Sequence, residues 1–235
     1  METKPKHRYG NFTSSNIWKL MTTGKDKSQF GKPALTYIQE TRWERRLGRP
    51  INVTKDSSAT LWGKLLEPMV NDLLPIEYRL VSKTRFQHPE IENWSGMPDL
   101  ITPDLVCDIK CPEPKAFMAL LEIFESKDVA KLKDESPEYY WQLVSNGVLV
   151  NRDKAELIIF MPKEIRLPEI RTLCENSEDV EKMKRIYYAS PESLALLPDT
   201  CDISELNKFA FDIPAEDKEA LKMKVIEANK LLNNQ

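Results

Sequence analysis

Apolar residues recur every three or four positions through "SSATLWGKLLEPMVNDLLP". Trp62, Leu65, Leu66, Met69, Val70, Leu73 and Leu74 fall on one side of a helix. Pro68 lies inside that pattern and predicts a local kink. "KPALTYIQETRWERRLG" reads as an earlier helix, opened near Pro33 and closed at Gly48. Before it, "NFTSSNIWKLM" offers Thr13, Ser14 and Ser15 as caps of a short helix. Three strand candidates come next: the weakly alternating "YRLVSKTRF", the short "WSGMPDLIT", and "LVCDIKC", which is apolar around one Asp and one Lys. Thr-Pro-Asp between the last two is turn chemistry, so they are predicted to form a hairpin. Helices follow in "PKAFMALLEIF" and "SPEYYWQLVSNGVLV", and the compact run "AELIIFMP" predicts a strand placed centrally in a sheet. Past Pro162, "RIYYAS" is a candidate strand and "AEDKEALKMKVIEANKLLN" an amphipathic C-terminal helix. This order of elements predicts one mixed α/β domain over residues 1–235.

Composition narrows the class. A chain of 235 residues with 41% hydrophobic content can bury a sizeable core. No apolar run approaches the roughly 20 residues that span a bilayer, and "METKPKHRYG" lacks a secretory apolar stretch, so the expected location is the cytoplasm. If the chain is phage-encoded, that is the host cytoplasm. The four cysteines, Cys107, Cys111, Cys174 and Cys201, form no dense framework and are expected to be reduced. A net charge of −3 argues against a protein that coats nucleic acid. It leaves room for a basic face, because Lys and Arg crowd the first fifty residues; an ordinary mixed surface is the competing reading.

The candidate chemistry lies in "MPDLITPDLVCDIKCP". Asp108 and Lys110 are two apart on a strand and share a face, and pairing in the predicted hairpin brings Asp99 near Asp108. Two close carboxylates repel and desolvate one another, a penalty that a divalent cation removes; hard oxygen donors suit Mg²⁺ or Mn²⁺. The Ile109 carbonyl could add a ligand, and Glu67, at the margin of its helix's apolar stripe, a third carboxylate. Lys110 beside a metal can orient water for attack on phosphorus and offset developing charge. The plainer reading is an Asp108–Lys110 ion pair on an edge strand.

At these residues the sequence resembles the PD-(D/E)xK nuclease superfamily and, within it, the phage lambda exonuclease and YqaJ-like viral recombinase family. "SATLWGKLLEPMVNDLL" resembles the family helix leading into a metal-binding glutamate, here Glu67. "MPDL" and "DIKCP" resemble its metal-site strands, giving Asp99, Asp108 and Lys110. "KAFM" and "EYYWQLVSNGVLV" resemble the two following helices, with Gln142 at the active-site glutamine. "HRYGNFTSSNI" resembles an N-terminal segment supplying Arg8 and Ser15. The resemblance covers about residues 7–163, which it marks as the core, with 164–235 as a C-terminal extension packing on it. It departs from the family at Val144, where a second glutamine is common, and at Met97, where the lambda type carries serine.

The resemblance implies a restriction-endonuclease-like fold with a central mixed sheet flanked by helices and extra C-terminal helices. It implies a Mg²⁺-dependent 5′→3′ exonuclease that degrades one strand of duplex DNA to mononucleotides in phage recombination. Two ions per site are implied, one on Asp99, Asp108 and the Ile109 carbonyl, the other on Glu67 and Asp99. Lys110 and Gln142 would serve the attacking water, and Arg8 and Ser15 the terminal 5′-phosphate. Expected partners are double-stranded DNA ends, a single-strand annealing protein, and two further copies of the chain in a ring trimer. An endonuclease or nickase on the same fold, and a non-cutting DNA- or partner-binding scaffold, are the rival functions. Trp94, in a loop before Asp99, is the tryptophan best placed to act as a DNA wedge, whereas Trp62 and Trp141 read as core.

Overall fold

The computed structural model describes residues 9–26, 29–52, 57–75, 77–80 and 84–233, without the side chains of residues 79 and 80. Strand β1 (Phe12–Thr13) runs directly into a 3₁₀ helix over Ser14–Met21. Helix α1 (Lys32–Leu47) opens with Pro33 in its first turn and ends at Gly48, whose left-handed φ of 65° reverses the chain without a Cβ penalty. Helix α2 (Ser58–Leu73) is capped by Ser57, which accepts a hydrogen bond from the Thr60 amide at 3.1 Å, and it continues through Pro68. Its buried residues Trp62, Leu65, Leu66, Met69 and Val70 belong to the predicted stripe.

Short strands β2 (Arg79–Leu80), β3 (Phe86–Gln87), β4 (Trp94–Gly96) and β5 (Leu100–Ile101) lead to β6 (Leu105–Lys110). Helices α3 (Pro114–Ser126), α4 (Val129–Glu135) and α5 (Pro137–Val150) then connect β6 to β7 (Lys154–Phe160). After β7 come α6 (Leu167–Glu175), α7 (Val180–Tyr187), β8 (Leu206–Asp212) and α8 (Ala215–Asn233).

The strands form two sheets. A three-stranded one has the order β1-β4-β3, and a five-stranded one has the order β2-β5-β6-β7-β8. In the larger sheet β6 and β7 are parallel and the remaining pairs antiparallel, which makes it a mixed sheet. The parallel pair needs a long crossover, supplied by α3 to α5. Helix α5 lies on β6 and β7, and α3 on β7 and β8. Between them is the core, with Val106, Leu157, Ile159, Phe117, Leu120, Leu143 and Val144 all buried.

Two expectations change here. "RIYYAS" is not a strand: residues 185–187 end α7, and 188–190 follow it as a turn and irregular chain. Met183 and Ile186, three apart, are the buried residues of that helix, so helical periodicity outweighs the strand preference of Ile and Tyr. The region after residue 163 is also more than extra helices on a finished core. It supplies β8, which pairs with β7 along seven positions from Lys154↔Asp212 to Phe160↔Leu206 and completes the sheet edge. Among the described residues no helix is long and apolar enough to cross a membrane.

Candidate active site

The hairpin forms in the register that brings the acids together. Leu100 pairs with Cys107 and Ile101 with Val106, so continuing the ladder by one step sets Asp99 opposite Asp108. Asp99 Oδ2 accepts a hydrogen bond from the Ile109 amide at 2.7 Å. Asp108 is only 1% exposed and stands in register with the buried Leu157 of β7. Its Oδ1 accepts from Gln142 Nε2 at 2.6 Å. Its Oδ2 receives no aligned hydrogen bond among the described residues; instead the Lys110 ammonium lies 2.6 Å away as an ion pair. Lys110 Nζ also donates to Gln142 Oε1 at 3.3 Å, and the Tyr139 ring centroid is 5.3 Å from it.

The electrostatics follow from this crowding. Burial raises the Asp99 carboxyl well above its usual range. The Asp108 charge raises it further and Glu67 adds in the same direction, against the pull of Lys110 and the Ile109 amide. Glu67, half-buried on α2, is therefore within electrostatic reach of Asp99. Burial disfavours the Lys110 charge, but Asp108 and Asp99 outweigh it and raise the amine, so the ammonium is the standing form. Burial likewise pushes the Cys107 and Cys111 thiols up to about 12, which keeps them neutral.

Three of the expected residues, Asp108, Lys110 and Gln142, are thus tied by direct contacts, and Asp99 joins them through the β6 backbone. Among the described residues no three acidic, histidine or cysteine groups stand close enough to cage an ion as they are. The donor set still fits a hard divalent cation: a buried carboxylate oxygen without an aligned partner, and a second carboxylate burdened by its neighbour's charge. Ser15 is exposed on the 3₁₀ helix with its hydroxyl 3.4 Å from that of Thr13, and Arg8 lies outside the described residues. Trp94 requires correction. It is 1% exposed, donates Nε1–H to Ser145 Oγ at 2.9 Å, and stacks on His88, so it has no free face for a base and is a core residue rather than a wedge. Sequence reading passed over Tyr139, whose one signal is its place one turn before Gln142 on α5.

This sheet, with a hairpin acid facing a D-x-K strand and a glutamine helix laid across it, belongs to a fold shared with solved exonuclease structures. The chain is similar to the crystal structure of an alkaline exonuclease (LHK-Exo) from Laribacter hongkongensis, with a TM-score of 0.62 at 15% identity over 97% of this chain and 90% of that one. The same enzyme in complex with dAMP gives 0.61 at 16% identity, over 97% and 90%. A phage-related exonuclease from Haemophilus somnus 129PT gives 0.63 at 16%, over 95% and 94%. Likeness at this identity establishes the fold. No family model matches the sequence, and no curated protein gives a significant match.

Proposed function

We propose that the protein is a Mg²⁺-dependent exonuclease that enters duplex DNA at an end and releases mononucleotides from the 5′-terminated strand. The observation that carries this reading is Asp108: a buried carboxylate whose second oxygen meets, among the described residues, only the Lys110 ammonium, at 2.6 Å, held opposite the half-buried carboxylate of Asp99. Packing alone gives no reason to concentrate like charges in an apolar frame; a divalent cation does. Asp108, Asp99 and the Ile109 carbonyl would hold one ion, and Glu67 with Asp99 a second. A bound ion supplies Lewis acidity to the phosphoryl oxygens and lowers the pKa of water.

The chain's own groups divide the remaining work. Lys110 stands beside Asp108, its ammonium 2.6 Å from Oδ2. It donates hydrogen bonds that orient water and offset charge as the P–O bond forms. Gln142 fixes both Asp108 and Lys110 and so sets where that water can sit. Water adds to the phosphorus of the first internucleotide linkage, and the 3′-oxygen of the terminal nucleotide leaves and takes up a proton. The phosphate stays on the 5′-oxygen of the next nucleotide, so a 5′-phosphorylated end yields a nucleoside 5′-monophosphate with a free 3′-hydroxyl and a shortened strand that again begins with a 5′-phosphate. Arg8 and Ser15 would receive the terminal 5′-phosphate. The same reading includes a ring of three subunits on DNA, a single-strand annealing partner, and a role in phage recombination.

The test is digestion of end-labelled linear duplex and covalently closed circular duplex, each in Mg²⁺ and in EDTA. The expected result is mononucleotides from linear DNA in Mg²⁺ only, with circles intact. Cut circles would replace this reading with an endonuclease or nickase. Binding without cutting would point to a scaffold.

A further inference from the structure

Four consecutive residues of α5, Tyr139-Tyr140-Trp141-Gln142, divide between two lysines. Tyr140 and Trp141 face Lys133, whose Nζ lies 5.5 and 5.1 Å from their ring centroids. Tyr139 and Gln142, one turn apart, face Lys110. Resting on the nuclease reading above, we infer that Tyr139 is a positioning residue of that reaction, its ring face holding the Lys110 ammonium in place between Asp108 and Gln142.

A lysine ammonium sits at the end of a flexible four-carbon stem, and a single ion pair fixes its distance to one oxygen but not its direction. Gln142 is a distant second tether at 3.3 Å. The half-buried Tyr139 ring is the third restraint: it bounds the stem and attracts the cation through its π-face. The phenol is not an ionic partner. Burial raises its pKa, with Lys110 pulling the other way, and the net direction keeps it neutral at ordinary pH. What Lys110 meets is the ring, so a phenylalanine should serve and an aliphatic side chain should not.

The experiment compares wild type, Tyr139→Phe, Tyr139→Leu and Tyr139→Met on linear duplex in Mg²⁺, with melting temperatures alongside. Leu and Met should lower kcat about tenfold, the size expected for a partly desolvated cation–π contact, with KM and melting little changed. Phe should keep kcat within about threefold. Reductive methylation of Lys110, read by mass spectrometry, should quicken in Leu and Met and not in Phe, and it needs no turnover. Wild-type kcat and methylation in both aliphatic variants would overturn the inference. So would a Phe variant as impaired as Leu, which would move the role to the hydroxyl. If the wild type cuts no duplex, the nuclease reading fails first; if it cuts and only the Tyr139 variants behave like wild type, the inference alone fails.

Discussion

Asp108 and Asp217 are both buried carboxylates that face a lysine and helix α5, yet their surroundings differ in kind. Lys133 reaches both oxygens of Asp217, at 2.7 and 2.8 Å, and the Tyr140 hydroxyl donates to Oδ2 as well. Burial and this bond to Asp217 raise the Tyr140 phenol, so it remains a donor. Asp108 has Gln142 on one oxygen and an unaligned ammonium by the other, with Asp99 pressing from the neighbouring strand. A buried charge supplied with enough donors locks α4, α5 and α8 together. A buried charge left short of donors beside a like charge is poised for a ligand. Four adjacent residues of one helix serve both, because successive positions point about 100° apart.

The comparison breaks first at Lys110. Lys110→Ala should lower cleavage of labelled linear duplex about 10³-fold while binding, followed by fluorescence anisotropy, changes little. Equal loss of both would make Lys110 a binding or folding residue like Lys133.

The converse change is Asp217→Ala. It leaves Lys133 and the buried Tyr140 hydroxyl without their partner, and should cost about 2–3 kcal/mol, below the full range for a buried pair because Lys133 is 37% exposed. In chemical denaturation the midpoint should fall, with cleavage per folded molecule retained. A variant of wild-type stability would remove Asp217 from the class of completed carboxylates.

Asp108→Asn sharpens the other half. Wild type should take up Mg²⁺ by calorimetry and melt higher with it, whereas the variant should show neither effect. In EDTA the two should differ by no more than about 1 kcal/mol, since relief from Asp99 offsets the lost ion pair. Unchanged Mg²⁺ affinity would take Asp108 out of the ligand set.

The smallest effect concerns Glu205, a third carboxylate with its donors in place. It accepts from Arg166 Nε and the Lys163 amide, both at 2.7 Å. Burial pulls its pKa up, but these bonds and the nearby cations outweigh that and hold it below the ordinary 4.5. A depressed folded-state pKa contributes stability above 4.5 that is lost as pH falls through the folded value. Wild type should therefore exceed Glu205→Gln by about 1 kcal/mol in urea melts near pH 7, with the gap closing toward pH 3. A gap constant with pH would assign the effect to packing.

Much of this arrangement was legible in the chain. The α2 stripe, the Pro33 and Gly48 boundaries of α1, the hairpin and the apolar β7 all follow from local periodicity and turn chemistry. The D-x-K strand was visible because charge interrupts an apolar run. Strand β8 was not, because "LNKFAFD" offers only Phe209 and Phe211 as large buried residues and takes its extended form from pairing with β7. Trp94 misled because a tryptophan beside glycine in a loop looks exposed. Gly96 instead allows close packing: a Cβ there would stand 2.2 Å from Ser14 Oγ and 2.5 Å from Asn146 Oδ1.

The sequence by itself determined the strongly periodic helices and the apolar strands, and it set Asp108 and Lys110 on one face two residues apart, since both depend on the repeat of the backbone alone. Tertiary structure decided what those groups meet: Asp99 across the hairpin, Gln142 and Tyr139 from a helix some thirty residues on, and Trp94 sealed against Ser145. Periodicity fixes the direction in which a side chain leaves its own element; only the packing of elements against one another fixes which partner, solvent or charge lies in that direction.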